Sequence, residues 1–207
     1  MKFRKFVLVA LGSVLVVGSA MAQVQVNASG SYLKGTGDND ASLWGGGLGA
    51  KFFLGNHVAL GGVFHTYPKK TSELTVGNYK YTSADLVTNG AASFDFLLTP
   101  KSSPIQPYIG TDAGVSWNNQ TVTYTNESTQ IVENKNNQTY FLLSPKAGLN
   151  IGLGSAVGLF GQAQYNFTFG DGHSVAIEDV PNPFTTQPVS KYFTFDVGLY
   201  FRFQGAK

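Results

Sequence analysis

Tyr192-Phe193-Thr194-Phe195-Asp196-Val197-Gly198-Leu199-Tyr200-Phe201-Arg202-Phe203 is the stretch that decides the fold. Phe193, Phe195, Val197, Leu199, Phe201 and Phe203 share one parity, with no polar residue among them. Tyr192, Thr194, Asp196, Gly198, Tyr200 and Arg202 occupy the other. Successive side chains of a strand point to opposite faces, so this stretch presents one apolar face and one largely polar face. A helix, at 3.6 residues per turn, would mix the two sets.

The same alternation recurs upstream. Its apolar faces are Val24 to Tyr32, Trp44 to Phe52, Val58 to Phe64 and Gly90 to Leu98, then Ile109 to Trp117, Phe141 to Ile151 and Val157 to Phe169. With the closing stretch this predicts eight strands, each able to supply the ~9–11 residues that cross a bilayer at a tilt. The connections alternate between short and long. Gly55-Asn56, Pro100–Pro104 and Gly154-Ser155 are tight, whereas Gly35–Ala41, Tyr67–Asp85, Asn118–Gln138 and Gly170–Ser190 are long and polar. An even number of antiparallel strands with alternating tight turns and long loops is the pattern of an up-and-down transmembrane β-barrel. The expected fold class is therefore all-β, an eight-stranded antiparallel barrel.

Charge decides which face meets lipid. Charged residues make up 13% of the chain, about half the ~25% of an ordinary soluble domain. In the eight segments the apolar parity carries no ionised residue, while the polar parity holds Lys51, Asp95, Asp112, Lys146, Asp196 and Arg202. A soluble sandwich would turn its apolar face inward and cover the outside with Lys and Glu. Here the polar face is mostly Gln, Asn, Ser, Thr and Gly, which suits a packed interior. Trp44, Phe64, Trp117, Phe141, Phe167, Phe169 and Phe193 are expected near the external strand ends, and Phe52, Phe96, Phe201 and Phe203 near the periplasmic ends. Aromatic girdles of this kind mark the two membrane interfaces.

Residues 1–22 read as a cleaved signal peptide: a basic start, an apolar run from Phe6 to Val17, and Ala20-Met21-Ala22 as the cleavage site. The mature chain, 23–207, would begin at Gln23 and form a single barrel domain in the bacterial outer membrane. Three of the fourteen Lys and Arg residues lie in the first five positions. The rest is close to neutral, which speaks against a nucleic-acid partner. With no Cys, disulfide scaffolds and Cys-ligated metals are excluded.

The eight-strand pattern and the ending Val197-Gly198-Leu199-Tyr200-Phe201-Arg202-Phe203 resemble the small outer-membrane β-barrel superfamily: the OmpA membrane domain, OmpX, the opacity proteins and the porin-like barrels of Bacteroidota. The resemblance implies an outer-membrane bilayer with lipopolysaccharide as surroundings. It also implies that the barrel-assembly machinery reads the last strand, Phe193 to Phe203. Family members usually finish on the terminal aromatic, whereas here Gln204-Gly205-Ala206-Lys207 follow Phe203.

Eight strands enclose a space just wide enough for side chains. The six inward charges sum to zero, so a structural salt-bridge core is preferred over a gated ion path. Asp112 and Lys146 are expected to meet, and exchanging their charges is expected to be tolerated. The function expected is in outer-membrane structure and in surface interaction or adhesion. Host or matrix proteins would bind through loops 67–85 and 118–138, each of which reads as an ordered hairpin. The alternatives are uptake of small hydrophobic molecules, which the polar upper lumen disfavours, and a lipid-modifying barrel enzyme. No enzyme activity, cofactor or metal is expected. His57, His65 and His173 are scattered, Asp38-Asn39-Asp40 lacks the rest of a calcium loop, and Asp171, Glu178 and Asp179 read as solvated loop charges.

Overall fold

The computed structural model describes residues 23–36, 42–68, 72–76, 79–126, 129–170 and 191–203. The signal segment, the turn residues Gly77-Asn78 and Glu127-Ser128, the loop holding His173, Asp171, Glu178 and Asp179, the Asp38–Asp40 segment and the four residues after Phe203 lie outside them. The elements are β1 (Val24–Gly35), β2 (Ser42–Leu54), β3 (Val58–Pro68), β4 (Ser72–Val76), β5 (Tyr79–Leu97), β6 (Ile105–Asn126), β7 (Thr129–Gly152), β8 (Val157–Phe169) and β9 (Lys191–Phe203). Eight of these run antiparallel in the order β1-β2-β3-β5-β6-β7-β8-β9. β9 closes on β1, from Val24 opposite Phe203 to Gly35 opposite Tyr192.

The ninth strand, β4, pairs with β5 from Ser72–Ser83 to Val76–Tyr79, so the second long connection is a hairpin. The third is likewise strand rather than loop. β6 and β7 remain paired from Asn118–Gln138 out to Asn126–Thr129, with a bulge at Tyr124/Thr125. Runs such as Thr121-Val122-Thr123-Tyr124 combine β-branched and aromatic residues, which favour extended backbone. The tight turns follow their sequences too. Gly55 sits at φ 72°, a left-handed conformation that a side chain disfavours.

Following paired residues once around the barrel gives its geometry. Phe53 stands opposite Ala59, then come Asp95, Gly110, Lys146, Gln164, Thr194 and Leu33, and the path returns to β2 at Leu43, ten residues from its start. A stagger of that size with eight strands corresponds to a tilt of ~40°. Every residue on this path faces inward. The other parity forms an apolar exterior on which Trp44 is 74% and Val197 71% exposed.

Aromatics crowd both rims of this exterior. Phe52, Phe96, Phe201 and Phe203 lie at the end with the tight turns. Trp44, Trp117, Phe141, Phe167, Phe169 and Phe193 lie at the opposite end, where the long connections are. Phe64 stands lower than expected, opposite Leu48, four residues inward of Trp44 along β2.

Candidate functional site

The lumen is built in three storeys. Nearest the tight turns, Phe53, Ala59, Leu97 and Tyr108 form a buried apolar layer. Arg202 caps this layer, its guanidinium carbon 4.9 Å from the Phe53 ring centroid and 4.8 Å from that of Tyr200. It donates to Gln25 Oε1 and Gln106 Oε1, both at 2.8 Å, and to the Lys101 carbonyl at 3.0 Å. Arg202 was expected to join a neutralising ion-pair core. Among the described residues its partners are amides, a carbonyl and two rings, because it lies at the end of β9, below the level of the acids.

The middle storey holds four of the six charges. Lys51 donates to Asp95 Oδ2. Lys146 Nζ reaches Asp112 Oδ1 at 2.5 Å, Asp95 Oδ1 at 2.9 Å and Ser93 Oγ at 2.6 Å. Gln164 Nε2 donates to Asp112 Oδ2 at 2.7 Å. Two lysines against two aspartates leave no net charge, and Asp112 also accepts from Gln164, the kind of pairing under which buried ions are tolerable. Gly110 makes this possible. A Cβ there would lie 2.6 Å from Asp95 Oδ1 and 3.0 Å from Lys146 Cε, so a side chain would occupy the path between them.

Asp196, the fifth expected member, stands apart. It accepts from Gln162 Nε2 at 2.8 Å and lies 3.6 Å from His65 Nε2. Gln162 in turn accepts from the Tyr108 hydroxyl at 2.8 Å. Sequence reasoning left His65 outside the charge network. The signal was available, since His65 has the same inward parity as the acids. Gly47 leaves room for its ring, because a Cβ there would sit 2.7 Å from His65 Nε2. Beside His65 a cavity of about 10 Å³ remains, lined by Asn27, Ser29, Gly47, Lys51 and Gln162, which is room for about one water molecule. His57, by contrast, bonds the Leu97 carbonyl at the turn end, at 2.8 Å.

The upper storey corrects one expectation. A largely polar upper lumen was anticipated, Tyr192 included, yet Leu33, Tyr67, Leu142 and Tyr192 form a buried apolar cluster there, with Leu43 and Val87 packed against it. The two tyrosine hydroxyls find partners on the barrel wall: Tyr67 shares a 2.8 Å hydrogen bond with Ser31, and Asn89 donates to the Tyr192 hydroxyl at 2.9 Å. The polar middle is thus enclosed between two apolar layers.

Above the barrel the ladder of β4 to β7 continues alone. Beyond the pair Trp117–Thr139, β6 and β7 make nine further residue pairs, on the order of 30 Å of strand. β8 meets β7 only from Phe141–Phe169 downward, so among the described residues the outer part of β7 has a neighbour on one side.

No family model matches this sequence, and no curated protein does. Solved structures do. A major outer membrane protein from Thermus thermophilus superposes with a TM-score of 0.60 at 14% identity, over 88% of this chain and 99% of that one. The attachment invasion locus protein Ail of Yersinia pestis, crystallised with the heparin analogue sucrose octasulfate, gives 0.53 at 14% identity, over 88% and 99%. The fold is that of the small outer-membrane β-barrels. In a small outer-membrane barrel the exterior apolar face is solvated by lipid, so the lumen must supply the specific packing that a soluble protein places in its core. The three storeys do so here.

Proposed function

We propose that the protein is an integral barrel of the bacterial outer membrane, exported by its 1–22 segment and inserted by the barrel-assembly machinery. Its role is non-enzymatic. The closed barrel is a rigid base for the external sheet, which binds other polypeptides, such as host or matrix proteins, by adding their strands to its edge. The observation that carries this reading is the nine-pair continuation of β6 and β7 beyond Trp117–Thr139, flanked by β5 and β4. An open edge presents backbone donors and acceptors to any extended partner.

The likeness to Ail, an attachment protein by name, is consistent with a surface role. A polyanion like the one bound to Ail is a poorer fit. Segments 67–85 and 118–138 carry Glu73, Asp85, Glu127 and Glu133 against Lys69, Lys70, Lys80 and Lys135, so they have no net positive charge to hold a polyanion. Uptake of hydrophobic molecules is likewise disfavoured, because the Leu33–Tyr67–Leu142–Tyr192 layer stands across the lumen.

The test replaces residues 69–85 and 118–138 by short Gly-Ser turns in cells displaying the protein. Adhesion to immobilised laminin and collagen is measured, and folding is checked by the mobility shift on boiling. The expected result is a folded barrel that no longer adheres. Undiminished adhesion by the folded variant would overturn the proposal, as would wild-type protein that binds neither surface.

A further inference from the structure

Arg202 does more at the tight-turn end than cap the lower apolar layer. On the closed ring the Pro100–Pro104 turn, between β5 and β6, stands opposite β9, with β7 and β8 between them one way and β3, β2 and β1 the other. A side chain spans roughly half of an eight-strand lumen. An arginine on β9 can therefore bond a backbone carbonyl of that turn only if the turn leans inward over the mouth. The Arg202–Lys101 bond, at 3.0 Å, is a contact across the opening.

The turn is held there at several points. The Lys101 amide donates to the Asn56 carbonyl at 2.9 Å, and the Gly152 amide to the Pro104 carbonyl at 2.7 Å. These bonds tie it to the β2–β3 turn on one side and to β7 on the other. From inside the lumen, buried Gln106 donates through Nε2 to the Lys101 carbonyl at 2.8 Å and to the Ser103 carbonyl at 2.6 Å, while its Oε1 accepts from Arg202. Two donors thus converge on the Lys101 carbonyl. On the β1 side the guanidinium is anchored by Gln25 Oε1, 3.2 Å from Nε and 2.8 Å from Nη2. Pro100 and Pro104 fix φ at both ends of the turn, and the Ser103 amide bonds the Pro100 carbonyl at 2.9 Å, so the segment is built to move as one piece.

We propose that the Pro100–Pro104 turn is a strap across the tight-turn mouth of the barrel and that Arg202 is its latch. With the latch made, the strap keeps small solutes from the Phe53–Ala59–Leu97–Tyr108 layer. With the latch broken, the strap swings out and that layer becomes reachable while the upper lumen stays closed. The inference rests on the barrel fold and is independent of what the external sheet binds.

The experiment uses purified full-length barrel in detergent micelles. The chain has no cysteine, so Ala59→Cys places a single thiol in the lower layer. In a separate protein Ser116→Cys places one in the upper lumen, and both positions are buried. Iodoacetamide is the probe, and intact-mass spectrometry gives the alkylation rate. With Arg202 in place both thiols are expected to react slowly. Arg202→Gln is expected to speed alkylation of Ala59→Cys on the order of tenfold, because it removes a charged hydrogen bond that opposes local opening, and to leave Ser116→Cys unchanged. Arg202→Lys, which lacks the planar fork that engages Gln25, Gln106 and the Lys101 carbonyl together, should fall between. Replacing 100–104 by a short Gly-Ser turn should give the full acceleration by itself. Adding Arg202→Gln to it should then change nothing, because a latch without a strap has nothing to hold. Boiling-dependent gel mobility is recorded for each variant, so an unfolded protein is not read as an open one. If Arg202→Gln does not fold, Arg202→Lys and the shortened turn carry the test. Fast alkylation of Ala59→Cys with Arg202 in place overturns the proposal, as does an unchanged rate in a folded Arg202→Gln or shortened-turn variant. Equal acceleration at Ser116→Cys, or an effect of Arg202→Gln that persists once the turn is shortened, would make Arg202 a general stabiliser of the barrel and overturn the latch.

Discussion

Lys146 Nζ lies 2.9 Å from Asp95 Oδ1 across Gly110, the residue paired with both of them on the adjoining strands. The contact exists because position 110 has no side chain. Gly110→Ala should press on the Phe94 carbonyl oxygen, 2.3 Å from the added Cβ, as well as force the two ends apart, and so destabilise the folded barrel by at least about 1–3 kcal/mol, the usual cost of an added methyl group in a packed interior. Urea unfolding in micelles, followed by tryptophan fluorescence, measures it. An unchanged midpoint would show that the strand backbone and the pair can both shift around the methyl group.

Lys146 also contacts Asp112, and this revises the expectation that exchanging the charges of Asp112 and Lys146 would be tolerated. A carboxylate at 146 would face Asp95 as well, and a lysine at 112 would lose the hydrogen bond that Gln164 now donates. The exchange should therefore be destabilising. Lys146→Met alone should cost about 3–5 kcal/mol, because it leaves Asp95 and Asp112 with Lys51 as the remaining cation of their cluster. Adding Asp112→Asn should restore part of that loss. A double variant as unstable as the sum of the two singles would show that the two residues are not coupled.

Val197 tests the assignment of faces. It is the middle residue of β9 and is exposed on the barrel wall, whereas Thr194 is fully buried and bonds Gln164 Oε1 at 3.0 Å. Val197→Arg should cost ~2–4 kcal/mol in a bilayer, the penalty for Arg at the midplane of a lipid face. Thr194→Ser, which keeps the hydroxyl, should be mild. Equal tolerance of both would invert the two faces.

Shortening the external sheet should leave the barrel intact. The β7–β8 ladder starts at Phe141, and the buried residues of β7 from Tyr140 inward lie below the segment removed, with the Tyr140 hydroxyl's bond to Gln138 Oε1 lost. The variant lacking 69–85 and 118–138 should keep its detergent-resistant, faster-migrating form on an unheated gel. Loss of that form would mean that the sheet helps the barrel fold.

The strand count, the alternation of tight and long connections, and the outward face were legible because period two is a property of each strand taken alone. The apolar layers were harder to see. Tyr32-Leu33, Phe52-Phe53, Leu97-Leu98 and Leu142-Leu143 place apolar residues on both faces at once, so parity cannot say that Leu33, Phe53, Leu97 and Leu142 turn inward to close the lumen. Which charges meet was also hidden, because contacts across the lumen depend on the ten-residue stagger, and stagger accumulates over all eight strands. That the strands reach Lys34 and Lys191 was hidden for a simpler reason, because polar loop sequence begins there and only backbone pairing shows it.

The pairing of β1 with β9 joins the two ends of the folded chain. Until Phe203 has found Val24, every partly built form of this protein has two open edges, and in hydrocarbon an unpaired backbone group costs several kcal/mol. Closure is therefore a single late event that depends on the most distant contact the chain makes, the kind of contact that slows folding most. Once closed, none of the eight barrel strands among the described residues is left unpaired, but the chain must be sheltered for as long as it takes its last strand to arrive.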